Sequence, residues 1–152
     1  MTLKTHLPVV SFGGTSVTVD SSGQHAQWLR LVRGLDEGWE VRGEDTVIPS
    51  AAGRVARNRV RDTLTIDLEG VIVGVGATPA LQVANTRTRL TALRALFDPA
   101  AAPASLVVEL EDGTEASITC RTLNLVTLDY PDPVYRPVSI ELEAVGADWV
   151  IA

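Results

Sequence analysis

Cysteine is nearly absent, with Cys120 the only one in 152 residues. That excludes an intrachain disulfide and any cysteine-rich metal site. Histidine is almost as scarce, and His6 and His25 cannot hold a zinc ion without carboxylates brought from elsewhere. Lys4 is the one lysine, the other basic residues being arginines, and 19 acids against 13 bases leave a formal charge of −6. With a pI near 4.8, a globally basic nucleic-acid binder is disfavoured, because phosphate neutralisation supplies such binding. Aromatics make up 5% of the chain. Trp28, Trp39 and Trp149 fall in separate segments and read as packing or interface anchors rather than a ligand stack. No run of 18 apolar residues occurs, so no transmembrane helix is expected. Met1 to Val10 lacks the apolar core and cleavage pattern of a signal peptide. The expectation is a chain made in a cytoplasm and kept soluble, or built into something assembled there.

What is present suits one folded domain spanning 1–152. Hydrophobic residues reach 45%, charged residues 21%, and mean hydropathy is +0.16, which argues against disorder. A chain of this length buries roughly 68–70% of its unfolded surface, enough to need no staple.

Period-two alternation dominates. From Val60 to Val73 one parity reads Val60, Leu64, Ile66, Leu68, Ile72, with Asp62 the exception, and the other carries Arg61, Thr63, Thr65, Asp67, Glu69. Side chains of a strand alternate between faces, so this is a strand with one buried side. Leu106, Val108 and Leu110 repeat the pattern, Asp112-Gly113 predicts a two-residue hairpin turn, and Ala116, Ile118 and Cys120 return inward. Val138, Ile140, Leu142 and Ala144 form a last inward set. Between them the parity shifts from Leu123 and Leu125 to Val126, Leu128 and Tyr130, which predicts a bulge near Asn124. Gly13-Gly14 predicts a short hairpin, and Gln27 to Arg33 a strand burying Leu31 with either Trp28 or Leu29.

One helix is expected over about 79–97. Thr78 suits the N-cap and Pro79 the first helical position; Leu81, Ala84, Leu90, Leu93 and Phe97 mark an apolar face, and Asp98-Pro99 a stop. The fold class is therefore mainly β: an antiparallel β-sandwich with one flanking helix. The least regular stretch is a long loop, about 43–59, of the kind that is usually functional.

Gly70, Gly74 and Gly76 before Thr78 lack the spacing and ending of a phosphate loop, so they mark a strand turning into a helix. Arg54, Arg57, Arg59 and Arg61 concentrate four positive charges within eight residues. Two readings stand: a contact patch for an acidic partner surface, or a solvated loop pairing with local acids such as Asp45 and Asp62. Asp67 with Glu69, and Glu141 with Glu143, are i, i+2 acids on exposed strand faces, which favours a solvated face over glycosidase carboxylates. Cys120 falls on an inward parity and reads as core. No nucleophile–base pair can be named.

The ordered combination of segments resembles a known family. A strand with Trp28 and a Gly34 exit leads to Val41-Arg42-Gly43, then Asp45-Thr46-Val47-Ile48-Pro49 and Gly53-Arg54. A strand ending Leu68-Glu69-Gly70-Val71-Ile72-Val73-Gly74 follows, then a helix ending Leu93-Arg94-Ala95-Leu96-Phe97, two hairpin strands and a final long strand. From about Gln27 to Val145 this resembles the N-terminal, ring-forming domain of siphophage distal tail proteins and minor tail proteins of actinobacterial phages. The resemblance implies a tail-tube-like β-sandwich with no catalytic activity, cofactor or metal. It implies a homo-oligomeric ring, commonly hexameric, that joins the tail tube to the tail-tip or baseplate hub within the virion. DNA passes through the lumen without specific binding, and no membrane insertion is implied. Many members carry a second domain, often carbohydrate-binding-like, and here the sequence stops at Ala152.

On this expectation Val47, Ile48, Arg54, Arg57, Arg59 and Arg61 form the subunit or ring interface. Asp67, Glu69, Glu141 and Glu143 face the lumen, where acids repel the DNA backbone. The alternatives are a tail-tube or tail-completion subunit and, from another class, a small carbohydrate-binding β-sandwich module.

Overall fold

The computed structural model describes residues 7–17, 27–35, 41–42, 46–47, 54–55, 60–61, 64–146 and 148–151. In chain order its elements are β1 (Leu7–Phe12), β2 (Thr15–Ser16), β3 (Gln27–Arg33), β4 (Val41–Arg42), β5 (Thr46–Val47), β6 (Arg54–Val55) and β7 (Val60–Arg61). After these come β8 (Thr65–Val73), α1 (Pro79–Leu96), β9 (Ala104–Glu109), β10 (Glu115–Thr127), β11 (Tyr135–Ala144) and β12 (Val150–Ile151).

The fold is mainly β with one helix, as the alternation predicts, and the two layers expected of a sandwich run into one another. The strands follow the order β11–β8–β3–β1–β9–β10, and β10 pairs β11 again, so the antiparallel sheet closes into a barrel. Closure depends on the length of β10. Glu115 to Cys120 pairs with β9, while Cys120 to Thr127 pairs with β11. The register slips between Thr122 and Asn124, where the sequence predicts a bulge. Before it Ala116, Ile118, Cys120 and Thr122 point inward; after it the inward position passes to Leu125, and Val126 and Leu128 stand outside. A bulge bends and twists its strand, which is what lets one strand serve both layers.

Inside, Val9, Ile66, Leu68, Ile72, Leu106, Val108, Ile140 and Leu142 are fully buried, and each such side chain contributes about 1.5–3 kcal/mol by leaving water. Leu29 and Leu31 are the inward residues of β3, which settles its parity. Cys120 is core, and burial alone pushes its thiol pKa up to about 12.

Three local expectations are corrected. The strand drawn from Val60 to Val73 is two: Val60 and Arg61 pair with β4, and the barrel strand starts at Thr65. Leu64 belongs to neither strand, and the polar exception, Asp62, lies outside the described residues. The turn at Asp112-Gly113 is a wider one, because a two-residue turn of the favoured hairpin type needs positive φ at both centres and only Gly113 has it, at 84°. Instead Gly113 N–H donates to Leu110 O, and Asp112 Oδ1 accepts from Thr114 N–H and Oγ1. Those bonds hold the exposed Asp112 carboxyl below its ordinary pKa. Finally, the helix seats only part of the expected face: Leu90, Leu93 and Phe97 meet the core, and Leu81 and Ala84 do not.

Thr78 caps α1 through its Oγ1, which accepts from Leu81 N–H at 3.3 Å, with Pro79 in the first turn. The buried residues are Thr86, Leu93 and then Phe97, whereas Leu81 is 54% exposed and Ala84 also faces solvent. The reason is angular. At about 100° per residue, the six residues from Ala84 to Leu90 turn through roughly 600°, far off one stripe. Tracing back from Phe97 and Leu93 by helical turns reaches Thr86.

The helix lies across the barrel end where β8 finishes and β11 begins. Thr86 Oγ1 sits 2.8 Å from Val134 O and 3.0 Å from Gln82 O, and Phe97 stacks on Phe12 with ring centroids 4.5 Å apart. Close approach at the first turns requires Gly74, where a Cβ would meet Gln82 O at 1.9 Å and Thr86 Oγ1 at 2.2 Å.

Candidate assembly surface

The barrel wall formed by β3, β8, β11 and half of β10 exposes a continuous outer face. Period-two geometry and antiparallel register place its residues side by side. Glu141 lies opposite Asp67, Ser139 opposite Glu69, and Glu143 opposite Thr65. The structure thus brings Asp67, Glu69, Glu141 and Glu143 together on one face, from two neighbouring strands.

The strands on either side carry the opposite charge. Arg33 and Arg30 on β3 pair in register with Asp67 and Glu69, and Arg121 on β10 with Glu143. Arg121 donates from Nε and Nη2 to Glu143 Oε2 at 3.1 and 2.9 Å, and Arg33 Nε approaches Asp67 Oδ2 at 3.7 Å. Both arginines are more than half exposed, so each pair contributes under about 1 kcal/mol. Glu69 and Glu141 have no ion pair among the described residues. The face is therefore acidic along its centre line and bordered by guanidinium groups.

Towards the helix end the same face turns apolar. Val126, Leu128, Tyr130 and Tyr135 are each 42–54% exposed, or 43%, 54%, 51% and 42% in turn. Tyr130 and Tyr135 pack ring against ring at 5.9 Å. Val75 and Leu81 are exposed beside the same rim. A contiguous apolar surface on a folded chain marks an interaction site more often than scattered residues do. Sequence reasoning missed this patch although its signal was present: the bulge turns the Val126-Leu128-Tyr130 parity outward.

Between β3 and β8 the described residues form two short antiparallel ladders. Val41 pairs with Arg61 and Arg42 with Val60; Thr46 pairs with Val55 and Val47 with Arg54. The stretch expected to be an irregular loop, 43–59, thus contains one antiparallel ladder and is bracketed by the other. Of the expected interface residues, Val47, Arg54 and Arg61 belong to these ladders, and Ile48, Arg57 and Arg59 lie outside the described residues.

Just past β3, Gly34 adopts φ +117° and a Cβ there would meet Ile66 Cα at 2.9 Å. The Trp149 indole N–H donates to Gly34 O at 2.8 Å, fastening the segment before β12 to the end of β3. Among the described residues no three metal-capable side chains converge, and no helix is long and apolar enough to cross a membrane.

No protein family matches the sequence, and no curated protein matches it. Among solved structures, the fold is similar to the Dit protein (gp 19.1) of phage SPP1, described as a paradigm of the hub adsorption apparatus in phages infecting Gram-positive bacteria. The TM-score is 0.55 at 12% identity, over 92% of this chain and 50% of that one. The chain thus spans about half the length of the Dit protein, and what the two share is the β-rich fold.

Proposed function

We propose that this chain is a structural subunit of a phage tail. It forms a closed ring, hexameric on the family expectation, at the distal end of the tail, joining the tail tube to the tip or baseplate hub. The observation that carries the reading is the fold similarity to a phage hub protein along 92% of the chain. In this reading the chain performs no catalysis, is assembled in the host cytoplasm and resides in the virion at the tail tip. DNA crosses the lumen without specific binding.

The sheet face bearing Asp67, Glu69, Glu141 and Glu143 lines that lumen, its acidic centre line repelling phosphates at close range. Arg54, Arg57, Arg59 and Arg61, with Val47 and Ile48, contact a neighbouring subunit. The apolar rim around Tyr130 and Tyr135 meets the adjoining tail component.

Negative-stain imaging of the purified protein tests the reading. Single rings with a central hole support it; long stacked tubes identify a tail-tube subunit instead. A carbohydrate-binding module is the second reading, favoured by the exposed Tyr130–Tyr135 pair. Discrete monomers that bind a glycan array would establish it and overturn the ring.

A further inference from the structure

Charge is sorted along this chain. From Pro79 to Phe97 the helix and its cap hold Arg87, Arg89 and Arg94 and no acid, in a chain whose overall charge is −6. Arg87 and Arg94 each follow a seated residue, Thr86 and Leu93, and so stand about 100° round the helix from the seat. They share one flank, two turns or about 10 Å apart. Both are exposed, and among the described residues no carboxylate pairs with either. Arg94 Nη2 reaches Thr127 Oγ1 at 3.5 Å, which turns this flank towards the end of β10.

The rim has the opposite charge. From Val126 to Tyr135 the chain holds Asp129 and Asp132 and no base, and both acids are exposed. Asp129 directly precedes Tyr130. Asp132 ties the loop to Tyr135: its Oδ1 accepts from Val134 N–H at 3.0 Å and its carbonyl from Tyr135 N–H at 3.1 Å. The two rings, 51% and 42% exposed, pack at 5.9 Å beside these carboxylates. Tyrosine faces bordered by carboxylates suit a guanidinium, which stacks on the ring and pairs with the acid. Tyrosine and arginine are also the residues that carry most of the binding energy at protein interfaces.

The two surfaces lie on opposite sides of the β10–β11 ribbon. Thr127 faces α1, and strand alternation puts the exposed Val126 and Leu128 on the other side. A copy that covers the rim therefore leaves the α1 flank open to another.

We propose that the rim of one copy receives the Arg87–Arg94 flank of α1 from a second copy. This rests on the ring reading and identifies the component that meets the rim as the next subunit. Each copy offers a helix flank to one neighbour and a rim to the other. Such head-to-tail contacts generate rings when the rotation closes.

Cysteine pairs in the full-length chain test the contact. One variant carries Arg87→Cys and Tyr130→Cys, and two others carry one change each; the buried Cys120 stays out of the reaction. Light scattering first compares the mass of each with wild type. A short bismaleimide should then join the double variant into a ladder of multiples on a denaturing gel and leave both single variants at one chain. Glu109→Cys with Tyr130→Cys, whose first cysteine sits at the far end of β9, should give no ladder. A ladder from that control, or none from the double variant at wild-type mass, overturns the contact and leaves the ring standing. Independently, Arg87→Glu with Arg94→Glu, shown to be folded by circular dichroism, should lose the wild-type mass; keeping it overturns the proposal as well. A wild type that stays at one chain overturns the ring, and the contact with it.

Discussion

Gly74→Ala probes how the helix is seated on the barrel. The added Cβ would lie 1.9 Å from Gln82 O and 2.2 Å from Thr86 Oγ1, distances no relaxation of a flexible side-chain end can relieve, since one partner is helix backbone. The first turns of α1 must move outward. Overpacking of this kind costs about 1–3 kcal/mol. Movement also breaks the part-buried Thr86–Val134 hydrogen bond, a loss of about 0.5–1.5 kcal/mol, while Val134 O keeps the hydrogen bond it accepts from Gly74 N–H. Alanine restricts the unfolded chain more than glycine does and returns about 0.4–1 kcal/mol. The net expectation is a loss of about 0.5–4 kcal/mol, or roughly 1–16 °C in Tm for a domain of this size. Urea unfolding followed by tryptophan fluorescence measures it. A Gly74→Ala variant within about 0.5 kcal/mol of wild type would refute the close seating. A second check uses coupling: Thr86→Ala removes one of the two obstructing atoms, so adding Gly74→Ala to it should cost less than in wild type.

Three further outcomes follow from the geometry. Cys120 should resist a thiol reagent in the folded state and react fully in denaturant. Because its folded pKa is raised to about 12 from 9.0, the unfolded thiol loses its proton first as pH rises. Stability should therefore fall between about pH 9 and 12, by at most about 1.4 kcal/mol per unit from this group, and Cys120→Ala should remove that part of the slope. Thr78→Ala should destabilise by about 1 kcal/mol through loss of the N-cap, read as a lower denaturation midpoint with unchanged m. Trp149→Phe, which deletes the bond to Gly34 O, should cost about 1 kcal/mol and raise hydrogen exchange across β12.

The strands were visible in the sequence wherever one face is buried and the other wet. Ile66 and Leu68 against Asp67 and Glu69, or Ile140 and Leu142 against Glu141 and Glu143, announce both element and orientation. The Thr78-Pro79 start and the parity slip at Asn124 were equally visible, since each follows from local backbone chemistry. Pairing was not. That β1 lies between β3 and β9, and that β10 serves both β9 and β11, depends on contacts between distant residues, so a closed barrel and an open sandwich share one alternation pattern. Thr86 was overlooked because a hydroxyl hides among apolar markers, and Leu81 and Ala84 were apolar without lying on the seated face. Asp67, Glu69, Glu141 and Glu143 each occupy an outward parity, and the register sets the two pairs on adjacent strands. Its flanking Arg33 and Arg121 came into view only with the register. The apolar rim of Val126, Leu128, Tyr130 and Tyr135 likewise needed the bulge to be placed before its direction was known.

The central claim is a closed ring, and the mass of the wild-type chain in solution tests it most directly. Light scattering across a concentration series should give one defined species at a multiple of 16.2 kDa; a hexamer is six such masses, about 97 kDa. A mass that stays at one chain throughout, or that grows without limit as concentration rises, would contradict the account.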